Sequence, residues 1–407
     1  MYDLAAIGAW LEFGVRWLHV ITAIAWIGSS FYFIALDLGL HRDRNLASGA
    51  DGEEWQVHGG GFYHVQKYLV APVAMPDHLV WFKWEAYSTW LSGFALLALV
   101  YYLGADFYLI DPAVMDLTRL QAIAISVASL GFGWLAYDFI CKSKFGDNNT
   151  RLMLGLYVIL VALAWFYSHV FSGRAALLHL GAFTATIMSA NVFFIIMPNQ
   201  RVVVEDLKAG RTPAAKYGYI AKQRSTHNNY LTLPVIFMML SNHYPLAFGT
   251  QHTWIIASLV FLMGVTIRHF FNSVHMRKAT PWWTWLVTAL IFLTVMWLST
   301  APLWSDDAED PEAGIVTRFA EAEGYDQVHD IVLGRCSMCH SAEPFYDGIL
   351  WAPKGVRLDD ATQITRNARA IYLQAGLTHA MPPANVSFIE DDERDAIRAW
   401  YESAIKG

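Results

Sequence analysis

The chain has 407 residues, of which 55% are hydrophobic and only 15% charged, with 17 Trp, 19 Tyr and 24 Phe. That balance excludes an ordinary soluble protein and describes a membrane protein carrying a small soluble module. The formal charge of −7 is unevenly spread, with acidic residues gathered after Ala301 and basic residues in short loops between apolar runs, which argues against a nucleic-acid partner.

A helix needs about 20 apolar residues to cross a hydrocarbon core of roughly 30 Å, and the sequence predicts eight such spans. The first, Ala9–Leu36, carries Glu12, Arg16 and His19 on one helical face. Ionisable residues inside a span are costly, so they mark either a functional position or a buried ion pair. The first apolar run is long and lacks a basic leader, so no cleavable signal peptide is expected. A long connector, Asp37–His78, contains Gly59-Gly60-Gly61 and is expected to be functional or disordered. The second span, Leu79–Leu103, begins with Lys83 and Glu85. Then come Leu117–Ile140, Leu152–Phe171 with His169 at its end, and Ala175–Met197 with His179 at its start and Asn191 further along. Cys141, beside Lys142, reads as an inert buried thiol. The last three spans are Tyr230–Ala247 with Asn242 and His243, Thr253–Phe271 preceded by His252, and Trp282–Pro302. Arg268, Asn272 and His275 share one face of the seventh helix.

Lys142, Lys144 and Arg151 follow the third span, Arg201 to Arg224 supply six basic residues after the fifth, and Arg277 and Lys278 follow the seventh. The alternate connectors Gly104–Asp116 and Pro245–His252 have no Lys or Arg. The basic loops are therefore expected to face the cytoplasm, with both termini on the periplasmic side of an inner membrane. His19, His169, His179, His243 and His252 then fall at similar depth near the outer face, a set able to ligate one or two b-type haems.

Residues 304–314 read as an acidic tether, and residues 315–407 as a separate all-helical domain. In it, Cys336-Ser337-Met338-Cys339-His340 is the C-x-x-C-H pattern of covalent haem attachment, with His340 as proximal iron ligand. Two thiols one helical turn apart suit thioether links, and the tail lacks the second ligand pair that zinc would need. Met381, in Ala380-Met381-Pro382-Pro383, is the expected distal ligand, with His379 as its competitor. Ser387 and Glu390 have capping-box spacing, and Ile397, Trp400, Tyr401 and Ala404 share a helical face. The fold class expected is all-α: an eight-helix transmembrane bundle (1–303) followed by a class I cytochrome c domain, its attached haem facing the periplasm.

The whole chain resembles the bacterial membrane-bound cytochrome c urate oxidases, or urate hydroxylases. The likeness is carried by Trp17-Leu18-His19, Ala25-Trp26-Ile27-Gly28 and Met197-Pro198-Asn199-Gln200-Arg201, and in the tail by Cys336–His340, Ala352-Pro353-Lys354-Gly355-Val356 and Met381-Pro382-Pro383. The segment His19–Phe33 is also similar to the first helix of small membrane haem proteins, including the bacterial protoporphyrinogen oxidases, where a histidine so placed is associated with haem b. The resemblance implies oxidation of urate to 5-hydroxyisourate, with electrons leaving through haem c toward a respiratory acceptor such as a soluble cytochrome or a terminal oxidase.

Urate is a planar anion, so its site calls for a cation and amide side chains. Arg16, Arg174, Lys83 and Arg268 are the candidate cations of the membrane region, with Asn191, Asn242 and Asn272 as candidate readers of the ring edge. Glu12, Glu85 or a histidine would act as base, and Arg16 also suits a haem propionate. The catalytic candidates are therefore Glu12, Arg16 and Glu85. A rival reading is a non-catalytic, quinol-linked electron-transfer subunit. A haem-copper oxidase is disfavoured because no His-His pair occurs.

Overall fold

The computed structural model describes residues 4–43, 45–68, 76–112, 114–300, 313–349 and 351–406. It resolves into two compact units, a larger one of Gly8–Ile110 with Val114–Ala308 and a smaller one dominated by Glu309–Gly407. The acidic tether expected at 304–314 lies mostly outside the described residues, as does the end of the eighth expected span.

The larger unit opens with a long helix, α1 (Leu4–Gly39), and continues through α2 (Trp84–Leu96), α3 (Arg119–Lys142), α4 (Asn149–Ser168) and α5 (Gly173–Ala190). After these come α6 (Met197–Lys208), α7 (Ala215–Ser241), α8 (Thr253–His275) and α9 (Trp283–Thr300). Side-chain oxygens cap three of the starts: Thr118 and Gln121 form a capping box on α3, while Asn148 and Ser172 accept from the first turns of α4 and α5. The core lies around α4 and α5. Leu152, Leu156, Leu160 and Ala164 recur every four residues on α4 and are buried, which places them on one stripe. They meet Leu177, Leu180, Phe183 and Ile187 of α5 in the same core.

Among the described residues six helices are long and apolar enough to cross a membrane: Ile7–Gly39, Arg119–Lys142, Asn149–Ser168, Gly173–Lys208, Thr253–His275 and Trp283–Thr300. The second expected span takes the form of α2 followed by a π-helical turn, Leu97–Tyr102. For the sixth, helix α7 starts at Ala215 rather than Tyr230 and carries Pro234 inside it. The basic stretch 201–224, expected as a loop, is therefore mostly helix. Another π-helical turn, Asn191–Ile196, joins α5 to α6; such turns often sit at functional sites.

One expectation is corrected: the protein is mostly helical but not all-α. Part of the connector Asp37–His78 is an antiparallel hairpin of β1 (Ala50–His58) and β2 (Gly61–Tyr68). Its two-residue turn is Gly59-Gly60, both at positive φ, the backbone that a type I′ hairpin turn demands and glycine supplies without strain. Arg277, at the end of α8, is also left-handed (φ 53). Its guanidinium reaches back to Glu54 of β1 (3.3 Å) and to His41 (2.8 Å), tying the hairpin to the same end of the bundle.

The smaller unit contains α10 (Ala313–Ala320), α11 (Tyr325–Arg335) and α12 (Asp391–Lys406) with short helical turns between them. Ile397, Trp400 and Ala404 are buried on one face of α12, as their spacing predicts, and the Trp400 indole N–H donates to the carbonyl of Phe319 (2.9 Å). The capping box expected at Ser387 and Glu390 is not formed. Instead the Glu393 carboxylate accepts from the Glu390 N–H (2.8 Å) while also pairing with Arg335 (3.0 Å).

Candidate functional site

In the smaller unit, Cys336 ends α11, and its carbonyl accepts from the N–H groups of Cys339 (3.2 Å) and His340 (3.0 Å). The two thiols are thus carried one helical turn apart. Nδ1 of His340 donates to the carbonyl of Val356 (2.8 Å), which fixes the tautomer and leaves Nε2 with its lone pair, the arrangement expected of a metal-ligating imidazole. Val356 is presented by the turn Pro353–Gly355, so the Ala352–Val356 motif acts as the support of His340. The Leu358 N–H closes the arch onto the His340 carbonyl (2.6 Å). Asp359 accepts from the Ala342 N–H (2.7 Å) and from Arg357 (3.1 Å), which holds its carboxyl below the ordinary range. Met381 hangs on a separate loop. Its carbonyl, with that of Ala375, accepts from the buried guanidinium of Arg394 (3.1 and 2.5 Å), while its side chain is 37% exposed.

In the larger unit the five outer histidines do not form one cluster of bonded groups. His19 lies between α1 and α2, its Nδ1 donating to the Thr89 carbonyl (3.0 Å) with Ser92 Oγ at 3.1 Å. Its ring rests on Gly93, where any Cβ would come within 2.9 Å of it. Nε2 of His19 therefore keeps its lone pair, as in His340. His179 is fully buried and differently bound: Nδ1 donates to the Ala175 carbonyl (2.8 Å), so Nε2 must accept from the Ser126 hydroxyl (2.8 Å). In this arrangement both ring nitrogens of His179 are occupied by hydrogen bonds. His169 is exposed and bonded to its own helix at the Trp165 carbonyl (2.7 Å). His243 is exposed just beyond α7, and His252 caps α8 with its side chain half-buried.

Arg16 is paired with Glu12 (2.6 Å), so the shared face read from the sequence is an ion pair within α1. Asn242 accepts from the Tyr101 hydroxyl (2.5 Å), and Arg174 lies over the rings of Tyr108 and Phe248. Lys83 sits over Trp84, and Glu85 buries one carboxylate oxygen without a hydrogen-bond partner.

Two buried polar networks occupy the end of the unit that bears the basic connectors. In the first, Arg224 of α7 donates to Asp138 (2.8 Å) and Asn191 (3.3 Å), and Asn191 donates to the Tyr137 hydroxyl and to Asn228 (both 3.1 Å). Because the Tyr137 oxygen accepts from Asn191, its proton is free to go to His227 Nδ1 (2.7 Å). Nε2 of His227 then bears hydrogen and has no partner, although His227 is 1% exposed. In the second, Arg268 of α8 donates to Asn229 (3.3 Å) and Asn272 (3.1 Å), and Asn272 donates to Asn229 (3.0 Å). The guanidinium lies 4.0 Å from the ring centre of Phe31 on α1. The sequence reading foresaw Arg268 and Asn272 but missed Arg224, His227, Asn228 and Asn229. Their signal was available, since residues 224, 227 and 228 in the expected loop and 231 in the expected span repeat at the helical period.

The comparisons are decided by the membrane region. The family described as urate oxidase N-terminal matches residues 5–299. The chain belongs to that family. Comparison with curated proteins and with solved structures gives no significant match. The match runs from α1 through α9, takes in the hairpin, and stops short of Glu309–Gly407. It associates the larger unit with chemistry on urate and assigns no role to an individual residue.

Proposed function

We propose that the protein is a membrane-bound urate oxidase that hydroxylates urate to 5-hydroxyisourate and passes the electrons through its own c-type haem to a respiratory acceptor, such as a soluble cytochrome or a terminal oxidase. The observation that carries this reading is the union, in one chain, of the urate oxidase N-terminal region with a Cys-x-x-Cys-His turn whose histidine has its Nδ1 held by Val356. The donor set fits: Cys336 and Cys339 would hold haem through thioethers, His340 through Nε2, and Met381 as the distal ligand. When bound, the haem supplies one-electron acceptance at a potential raised by the thioether sulfur.

What the chain's own residues contribute is positioning. Val356 orients His340, and Arg394, by gathering the Ala375 and Met381 carbonyls, anchors the loop on which Met381 is carried. Conversion of urate and water to 5-hydroxyisourate releases two protons and two electrons, so the added oxygen comes from water and no peroxide is required. The chain would span the inner membrane eight times with both termini and the cytochrome domain in the periplasm. Among the described residues six helices have the length and composition for this. The thirteen α-helical and six π-helical residues from Trp84 to Tyr102 make a seventh rod of about 28 Å. The apolar second half of α7 would supply the eighth. Exposed Trp10, Phe13, Trp17 and Leu18 on α1 suit lipid rather than water.

The test is anaerobic addition of urate to the purified, haem-replete protein while its visible spectrum is recorded. Reduction of the attached haem, with oxygen from labelled water in the product and no stoichiometric peroxide, is expected. Reduction by quinol but not by urate would establish the electron-transfer subunit in its place.

A further inference from the structure

Two buried arginines of the larger unit, Arg224 and Arg268, are not equivalent. Arg224 is neutralised by Asp138 at 2.8 Å. Arg268 is 5% exposed, and among the described residues no carboxylate forms an ion pair with it; its acceptors are the neutral amide oxygens of Asn229 and Asn272. Amide oxygens satisfy N–H groups without cancelling charge, and these bonds use only two of the five donors a guanidinium offers. A buried cation without a counter-charge is strongly disfavoured, the more so between membrane helices. Beside it, Asn229 is 1% exposed, yet its amide Nδ2 has no partner. The cluster therefore combines a positive charge lacking an anion with a buried donor lacking an acceptor.

Its shape is equally specific. The guanidinium lies on the Phe31 ring at 4.0 Å, and a guanidinium presents its N–H groups in a plane, which suits bidentate contact with a planar oxygen-bearing anion. A pocket lies further along the same two helices. Asn272 and His275 follow Arg268 on one face of α8, and Ala35 follows Phe31 by one turn of α1. His275 and Ala35 line this pocket of about 290 Å³, which also receives Tyr32, Gln56 and the paired Glu54 and Arg277, close to the roughly 300–1,000 Å³ of small-ligand sites.

We propose that Arg268, Asn229 and Asn272 form the binding site for the urate anion, reached through this pocket from the end of the unit that carries the basic connectors. The proposal rests on the urate-oxidising function above and adds its site: Arg268 takes the charge, Asn229 donates to a ring carbonyl and Asn272 orients both.

Equilibrium binding of radiolabelled urate to the purified full-length protein, paired with steady-state urate-dependent haem reduction, tests it. Arg268→Gln should weaken binding and raise KM at least about tenfold, with a smaller change in kcat and an unaltered haem spectrum. Asn229→Asp places a carboxylate where Arg268 already makes contact. It should abolish urate binding while leaving the thermal midpoint unchanged or raised, which keeps the test decisive if Arg268→Gln does not fold. Wild-type affinity in either folded variant, with urate still reducing the haem, overturns the site alone. A wild-type protein that binds no urate and is not reduced by it overturns the function on which the site rests.

Discussion

Asp138 is the only carboxylate bonded to Arg224 among the described residues, and it also accepts from Lys142 (2.6 Å). Asp138→Asn keeps the shape and an acceptor oxygen but leaves Arg224 buried with its charge uncompensated. We expect a loss of roughly 3 kcal/mol, the order found when one partner of a buried pair is removed, seen as a lower thermal midpoint in detergent. A wild-type midpoint would show that the pair adds nothing beyond its neighbours. The same residues show where sequence reading stops. Arg224, His227, Asn228 and Asn229 interrupt hydropathy and so read as connector, although their spacing is helical. His19 and His179 look alike as letters. They part only when each nitrogen is accounted for: one keeps a free Nε2, whereas the other spends both nitrogens on Ala175 and Ser126.

Elements were more legible than residues because apolar period and length survive without tertiary knowledge. The buried stripes of α4 and α12 follow the spacing of Leu152, Leu156 and Leu160 and of Ile397, Trp400 and Ala404. The hairpin was missed because its outer side chains, Trp55, Val57 and Phe62, are exposed and leave no clean two-residue alternation; the Gly59-Gly60 turn was the remaining clue. Nothing in the sequence could pair α7 with α8. Their contact depends on Pro234, which cannot donate a backbone hydrogen bond, and on Gly264, where a Cβ would stand 2.6 Å from the proline ring. That contact lies one turn from the Arg268 and Asn229 pair. Gly264→Ala should force the helices apart against a rigid ring and cost about 1–3 kcal/mol, read as a drop in thermal midpoint. An unchanged midpoint would mean that the helices can slide without loss.

At the scale of the molecule, the proposed topology, with the basic connectors near Arg268 cytoplasmic and haem attached in the periplasm, would impose an electron-transfer requirement. Phe31 and His19 are twelve residues apart on α1, about 18 Å along the helix axis. Unassisted transfer across a core of roughly 30 Å is too slow for turnover, so an acceptor is needed between the two. His19 is placed for it. Its Nε2 is free, its ring is locked by Thr89 and Gly93, and its depth is intermediate between Phe31 and the outer end of α1. We therefore expect the purified, haem-replete protein to release a non-covalent haem b into acid acetone. His19→Ala should lower that fraction and slow urate-dependent reduction of haem c without changing covalent haem or urate affinity. Gly93→Val, whose added carbon would collide with the His19 ring, should do the same. If the wild type releases no haem, no such relay exists, and under the proposed topology substrate would have to bind at the outer end, near Glu12 and Arg16.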